Sequence, residues 1–182
     1  ILIGANNYLT VAGDISLFVS EGSGNWRQVS GPNAAPRLVV KAADETVNNS
    51  TTLQNDDDLL FTVAADTDYL VEMVLRITTA AAADWKYSWA LTGMTWDGLA
   101  HGNTLFDGDQ THDNSGANAT GATKGVTSTG ATTSLLFLAT FIIHAGVTGG
   151  SLRFQWAQNT ADVSDTKVLK NSSITWRRLG AT

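Results

Sequence analysis

A chain of 182 residues that is 43% hydrophobic and 15% charged can bury about 70% of its unfolded surface, which suits one domain with or without a small appendage. The absence of cysteine excludes disulfides and thiolate metal sites. A net charge of −6 with eleven scattered Lys and Arg argues against a nucleic-acid surface, because counterion release from phosphates needs clustered cations.

The opening Ile1 to Asn7 lacks the basic start and long apolar run of a signal peptide, and reads as the continuation of an upstream part. Ile15, Leu17 and Val19 then alternate, Ser20 to Gly24 supplies a turn, and Asn25 to Ser30 returns, which predicts a β-hairpin. Gly31 to Pro36 holds both prolines of the chain and is a linker candidate. The expected organisation is therefore an N-terminal hairpin segment over 1–30 and a main domain over 31–182.

Strand patterns dominate the rest. Leu59, Phe61 and Val63 form a short strand, and Tyr69, Val71, Met73, Leu75 and Ile77 put an apolar residue at every odd position of a longer one. Thr78 to Asp84, with four alanines, is the best helical window, but seven residues between strands predict a turn or a single helical turn. Trp85, Tyr87, Trp89 and Leu91 alternate again, as do Leu152, Phe154 and Trp156, and then Ile174 and Trp176. Short strands punctuated by 17 glycines suggest an all-β, antiparallel sandwich or jelly roll.

One strand departs from this scheme. In Ser134 to His144, Leu135, Phe137, Ala139, Phe141 and Ile143 lie on one face, while Leu136, Leu138, Ile142 and His144 lie on the other. A strand apolar on both faces needs cover on both, supplied by a second subunit or by a loop of the same chain. Leu136, Leu138, Ile142 and His144 are thus the candidate oligomer interface. The preceding Asn114 to Ser134 contains only Gly, Ala, Ser, Thr and Asn apart from Lys124 and Val126, a composition suited to an extended surface loop. No window holds eighteen uncharged apolar residues, so insertion of a helix into a membrane is not expected.

Few residues suggest chemistry. Glycosidases need two facing carboxylates, and with three glutamates the acids are mainly aspartates. Asp56-Asp57-Asp58 reads as a solvated turn ahead of a strand. Asp107 to Asp113 is the one stretch resembling a cation loop, but Thr111 and His112 stand where such a loop wants an acid and a glycine, and no Glu closes it. No nucleophile elbow, Walker loop or dinucleotide fingerprint is present, so no catalytic residue, resident metal or cofactor is expected. Of the six tryptophans, four take inward strand positions, whereas Trp96 falls in an expected loop, where it either caps the core or stacks on a sugar or partner. Trp96, His101, Asp107 and Asp109 are the candidate loop contacts.

Three stretches carry a resemblance. Leu9 to Asp14 with Asn25 to Ser30 resembles a hairpin repeated near the ends of phage fibre and tail proteins. Lys41 to Leu59, continued by Phe61 to Leu75, is similar to the opening of a domain found in phage tail, fibre and other virion proteins. Leu152 to Asn159, followed by Val168 to Leu179, looks like that domain's closing strands. Residues 93 to 133 match nothing comparable. The resemblance implies a trimeric, jelly-roll-like β-sandwich without catalytic residues, made in the host bacterial cytoplasm and displayed on the virion surface. The expected function is a fibre or tail domain for host attachment, with a homotrimer, other virion proteins and a host cell-surface glycan or protein as partners. The alternatives are a capsid decoration or head-fibre protein and a fragment of a polysaccharide-degrading tailspike; no β-helical repeat favours the last.

Overall fold

The computed structural model describes residues 2–3, 6–7, 17–22, 25–30, 36–105, 112–113, 124–126 and 131–181. Among them there is no helix, and every strand pair is antiparallel. Strands β1 (Leu2–Ile3) and β2 (Asn6–Asn7) pair, and β3 (Leu17–Gly22) and β4 (Asn25–Ser30) form the hairpin that the sequence predicts. There follow β5 (Arg37–Val40), β6 (Glu45–Asn48), β7 (Gln54–Val63), β8 (Thr67–Thr79), β9 (Trp85–Thr92) and β10 (Met94–Leu105). The last six are β11 (His112–Asp113), β12 (Lys124–Val126), β13 (Ala131–Ala145), β14 (Gly150–Ala157), β15 (Asp165–Val168) and β16 (Ser173–Ala181).

The strands from β5 onward form two sheets. The larger has the order β11-β10-β13-β8, and the far edge of β8 is shared. Its first part pairs with β16, which carries β5, and its end pairs with β15, which carries β6. The smaller sheet has the order β12-β9-β14-β7. Along the chain β7, β8, β9 and β10 change sheet at each step, and so do β12, β13 and β14.

The two sheets face each other over one apolar core. Every odd residue of β8 from Tyr69 to Ile77 is buried, as are Leu135, Phe137, Ala139, Phe141 and Ile143 of β13. Aromatic rings carry the contact between sheets: Phe61 stacks on Trp176 at 4.4 Å between centroids, and Trp85 and Trp89 meet Phe137 and Phe141 edge-on at 5.2 and 4.9 Å. Such geometries add to plain area burial. All four tryptophans expected to face inward do so, Trp176 at the margin.

Turn chemistry follows the sequence closely. Asn49, Asp66, Asp84 and Asn171 take the left-handed backbone conformation that short polar side chains tolerate. The alanine window is a turn: β8 runs on to Thr79, and the N–H groups of Ala83 and Asp84 both donate to the Ala80 carbonyl. At one end of the sheets Gly93 and Gly149 both have φ of +70°, and a Cβ on Gly93 would lie 2.2 Å from the Gly149 carbonyl oxygen. Only glycine lets the chain pass from β9 to β10 in a single residue so close to another backbone.

Three expectations need correction. Residues 94–105, which hold Trp96 and His101, are a strand and not an end loop. The fifteen-residue β13 offers a long edge, and pairing with it overrides the weak local preference of a segment containing Gly98 and Gly102. The Gly/Ala/Thr-rich stretch is also partly strand, since β12 and the start of β13 fall within it. Asp56-Asp57-Asp58 lies inside β7, and Asp56 is buried. Opposite it the register between β7 and β14 shifts, from Leu60↔Arg153 to Asn55↔Gln155, so the bulge turns both Asp56 and Leu59 inward.

Candidate functional site

Two features stand out: the outer face of the large sheet, and a polar centre buried between β5 and β7.

The outer face follows from strand alternation. Because Val71, Met73 and Leu75 point into the core, Leu70, Glu72, Val74 and Arg76 point away from it, and β13 places Leu136, Leu138, Thr140, Ile142 and His144 on the same side. Cross-strand register sets these residues in rows: Leu138 opposite Val74, then Ser173, then Val40; Thr140 opposite Glu72, then Thr175, then Leu38; Ile142 opposite Leu70, then Arg177. Leu38, Val40 and Val74 are exposed at 59, 43 and 39%, while Leu70, Leu136, Leu138 and Ile142 are half-buried. Apolar residues thus cross several strands in a sheet face that the chain's own core does not use. At the end of the face His144 Nδ1 meets Asp68 Oδ1 at 2.5 Å. The four predicted interface residues therefore share one face.

The predicted loop contacts are not brought together in this way. Trp96 lies on β10 opposite Ile143, and His101 lies on the same strand opposite Thr140, beyond a bulge that begins at Asp97. Asp107 and Asp109 lie outside the described residues. Of the suspected cation loop only His112 and Asp113 are described, as β11 paired with Asn103 and Gly102. Among the described residues no group of three His, Asp or Glu side chains is placed to hold a metal ion, and no helix is long and apolar enough to cross a membrane.

The polar centre is built around Lys41, which follows β5 and is 1% exposed. Its backbone is fixed on both sides: its N–H donates to the Ser172 carbonyl at 2.7 Å, and its carbonyl accepts from the Asn171 N–H at 3.0 Å. Its ammonium donates to Glu45 Oε2 at 2.5 Å and to both Asp56 oxygens at 3.0 Å, with Asp58 at 3.9 Å. Asp56 Oδ1 also accepts from the backbone N–H of Asp58 at 3.1 Å and of Leu59 at 2.9 Å, and Oδ2 accepts from Trp156 Nε1 at 3.2 Å. Glu45 is held in turn by Gln54 Nε2 at 2.7 Å and the Asp57 N–H at 3.2 Å. Burial pulls the Lys41 ammonium toward neutrality, but its bonds to Glu45 and Asp56 outweigh this and hold its pKa above the ordinary lysine value. Burial pushes the Glu45 carboxyl above its ordinary range despite the Lys41 and Asp57 hydrogen bonds, and the Asp56 charge adds to that push.

Sequence patterning misses this centre because it treats acids as solvent-facing, and the bulge in β7 breaks the period that would have shown Asp56 pointing inward. A second polar cluster ties the 158–165 loop to β6. The buried Gln158 side chain bonds the backbone of Ser50, Asp162 and Ser164. Hydrogen bonds from the Ser164 side chain and backbone hold the Asp162 carboxyl below its ordinary value, and Asn48 and Lys167 do the same for Asp165.

No protein-family model and no curated protein matches the chain.

Proposed function

We propose that the chain is a structural domain of a bacteriophage virion, a fibre or tail surface module for host attachment, built as a jelly-roll-like β-sandwich and assembled as a homotrimer without enzymatic turnover. The jelly-roll reading is supported by the strand orders β5-β16-β8-β13 and β7-β14-β9-β12, and by successive strands that alternate between the sheets. The virion assignment rests on the three phage-like stretches: Leu9 to Asp14 with Asn25 to Ser30, Lys41 to Leu59 with Phe61 to Leu75, and Leu152 to Asn159 with Val168 to Leu179.

The observation that carries the trimer is the outer face of the large sheet. Leu38, Val40 and Val74 are open to solvent in one chain, beside half-buried Leu70, Leu136, Leu138 and Ile142. A second copy laid on this face would remove that apolar area from water, and rotation about a three-fold axis would let every subunit use the same pair of surfaces. Glu72, Arg76 and Arg177 lie within or beside the apolar rows and supply both signs of charge for registration. The surface outside this face is left for other virion proteins or a host cell-surface glycan or protein.

Gold-labelled antibody against this domain, applied to intact particles and viewed by electron microscopy, tests the placement. Gold on fibres or the tail tip is the expected result. Gold spread over the head would overturn attachment in favour of capsid decoration, and particles without label would remove the virion assignment.

A further inference from the structure

We propose that Lys41 and Asp56 condense to an intramolecular isopeptide bond, with Glu45 as the catalytic proton carrier. The bond would join the end of β5 to β7 across the polar centre, independently of whether the domain belongs to a virion.

Three features of the centre exceed what a structural ion pair needs. First, nucleophile and electrophile are both out of water: Lys41 is 1% exposed and Asp56 is 0% exposed, beside the fully buried Trp156. Exclusion of water protects an amide-forming step and holds the reactants in one orientation. Second, the Lys41 nitrogen sits 3.0 Å from both oxygens of Asp56, and a third group, Glu45 Oε2, touches that nitrogen at 2.5 Å. A carboxylate in contact with the attacking amine is the arrangement that general acid–base catalysis requires. Third, the Asp56 carboxyl is polarised from the opposite side. The Asp58 and Leu59 N–H groups converge on Oδ1, and Trp156 Nε1 reaches Oδ2. Two backbone N–H groups on one oxygen are placed to stabilise the negative charge that develops there when nitrogen adds to the carbonyl carbon.

The step balances within these three side chains. Glu45 takes a proton from the Lys41 ammonium and passes it to Asp56 Oδ2. The free amine attacks Asp56 Cγ, and a C–N bond forms while Oδ1 carries the charge, facing the Asp58 and Leu59 N–H groups. Glu45 then removes a second proton from the nitrogen and delivers it to the Oδ2 hydroxyl. The Cγ–Oδ2 bond breaks, one water leaves, and Glu45 returns to its starting state. Nothing is oxidised or reduced, and no co-reactant enters. A carboxyl held above its ordinary pKa by burial, as Glu45 is, carries a proton more readily than a solvated one. Replacing a buried ammonium and carboxylate by a neutral amide also removes two charges that are costly to keep from water.

The test is the mass of the full chain as purified, followed by trypsin digestion after denaturation. With the bond formed, the intact mass falls short of the sequence mass by one water, and residues 38–76 emerge as one peptide uncut after Lys41. The full sequence mass together with cleavage after Lys41 would overturn the proposal. Lys41→Arg, which keeps a positive charge, restores the full mass. Asp56→Asn gives the same bonded product by losing ammonia in place of water, which separates the bond from a succinimide elsewhere. Glu45→Gln slows bond formation about a hundredfold or more, the usual contribution of a positioned acid–base group. Bond formation at an unchanged rate in that variant would remove the role assigned to Glu45.

Discussion

The two faces of β13 differ in what covers them. On the inner face Leu135, Phe137, Ala139, Phe141 and Ile143 are all at most 3% exposed, and the aromatic residues of β9 meet Phe137 and Phe141 at defined ring angles. On the outer face Leu136, Leu138 and Ile142 are half-buried, and exposed Val74 stands in the row of Leu138. Similar side chains on one strand thus do different work. The inner set packs in the apolar core of a single chain, while the outer set lies outside that core among the described residues. An alternating pattern reports a buried face reliably, but a second apolar face reports only that cover is wanted.

Substitutions can sharpen that contrast, and the largest effect belongs to the inner face. Phe137→Ala should cost about 3–5 kcal/mol by urea unfolding, because Trp85 and Tyr87 each lose one of their ring contacts and a cavity remains. The polar centre comes close behind. Asp56→Ala strands the Lys41 ammonium without one of its two close carboxylates and leaves Trp156 Nε1 without its acceptor, so a loss of roughly 3 kcal/mol or more is expected in the same assay.

Leu138→Asp on the outer face should behave differently. Its expected cost to the unfolding free energy of the isolated subunit is within about 1 kcal/mol, because the site is half-buried and stands beside exposed Val74. Its main effect should be on assembly, read as a fall in sedimenting mass. A loss as large as that of Phe137→Ala would erase the distinction between the faces and favour cover by the chain itself.

The smallest effect is electrostatic and local. Asp162 and Asp165 have folded pKa values below the ordinary 3.8, so what they contribute is present above that value and lost as pH falls through their lower folded values. Both lie outside the apolar core, so the 158–165 loop should loosen below pH 3.8 while the core stays folded. Amide exchange at Ser164, whose N–H donates to Asp162 Oδ1 at 2.8 Å, would report this before any global signal.

Much of the fold was legible in the sequence because its signals are strictly periodic. The alternation from Tyr69 to Ile77, the inward tryptophans and the β3–β4 hairpin need only the two-residue period and turn chemistry. Elements that depend on a partner strand were harder to see. β10 carries Trp96 and His101 through a glycine-bearing segment with little apolar pattern, and it is a strand because β13 offers an edge. The Lys41–Glu45–Asp56 centre was hidden for a related reason, since a bulge shifts Asp56 inward and a buried acid has no hydrophobic signature. The candidate interface on β13 was visible because its four residues follow one face of a single strand. Its continuation through Leu70, Val74, Leu38 and Val40 needed the register of three further strands.

The most direct test of the account is sedimentation equilibrium of the intact chain at micromolar concentration. A single species at three times the chain mass, falling to one chain mass in Leu138→Asp, is the result predicted for a trimer held by the outer face of the large sheet. A stable wild-type monomer would contradict it and leave the apolar rows on β13 and β8 without their proposed partner.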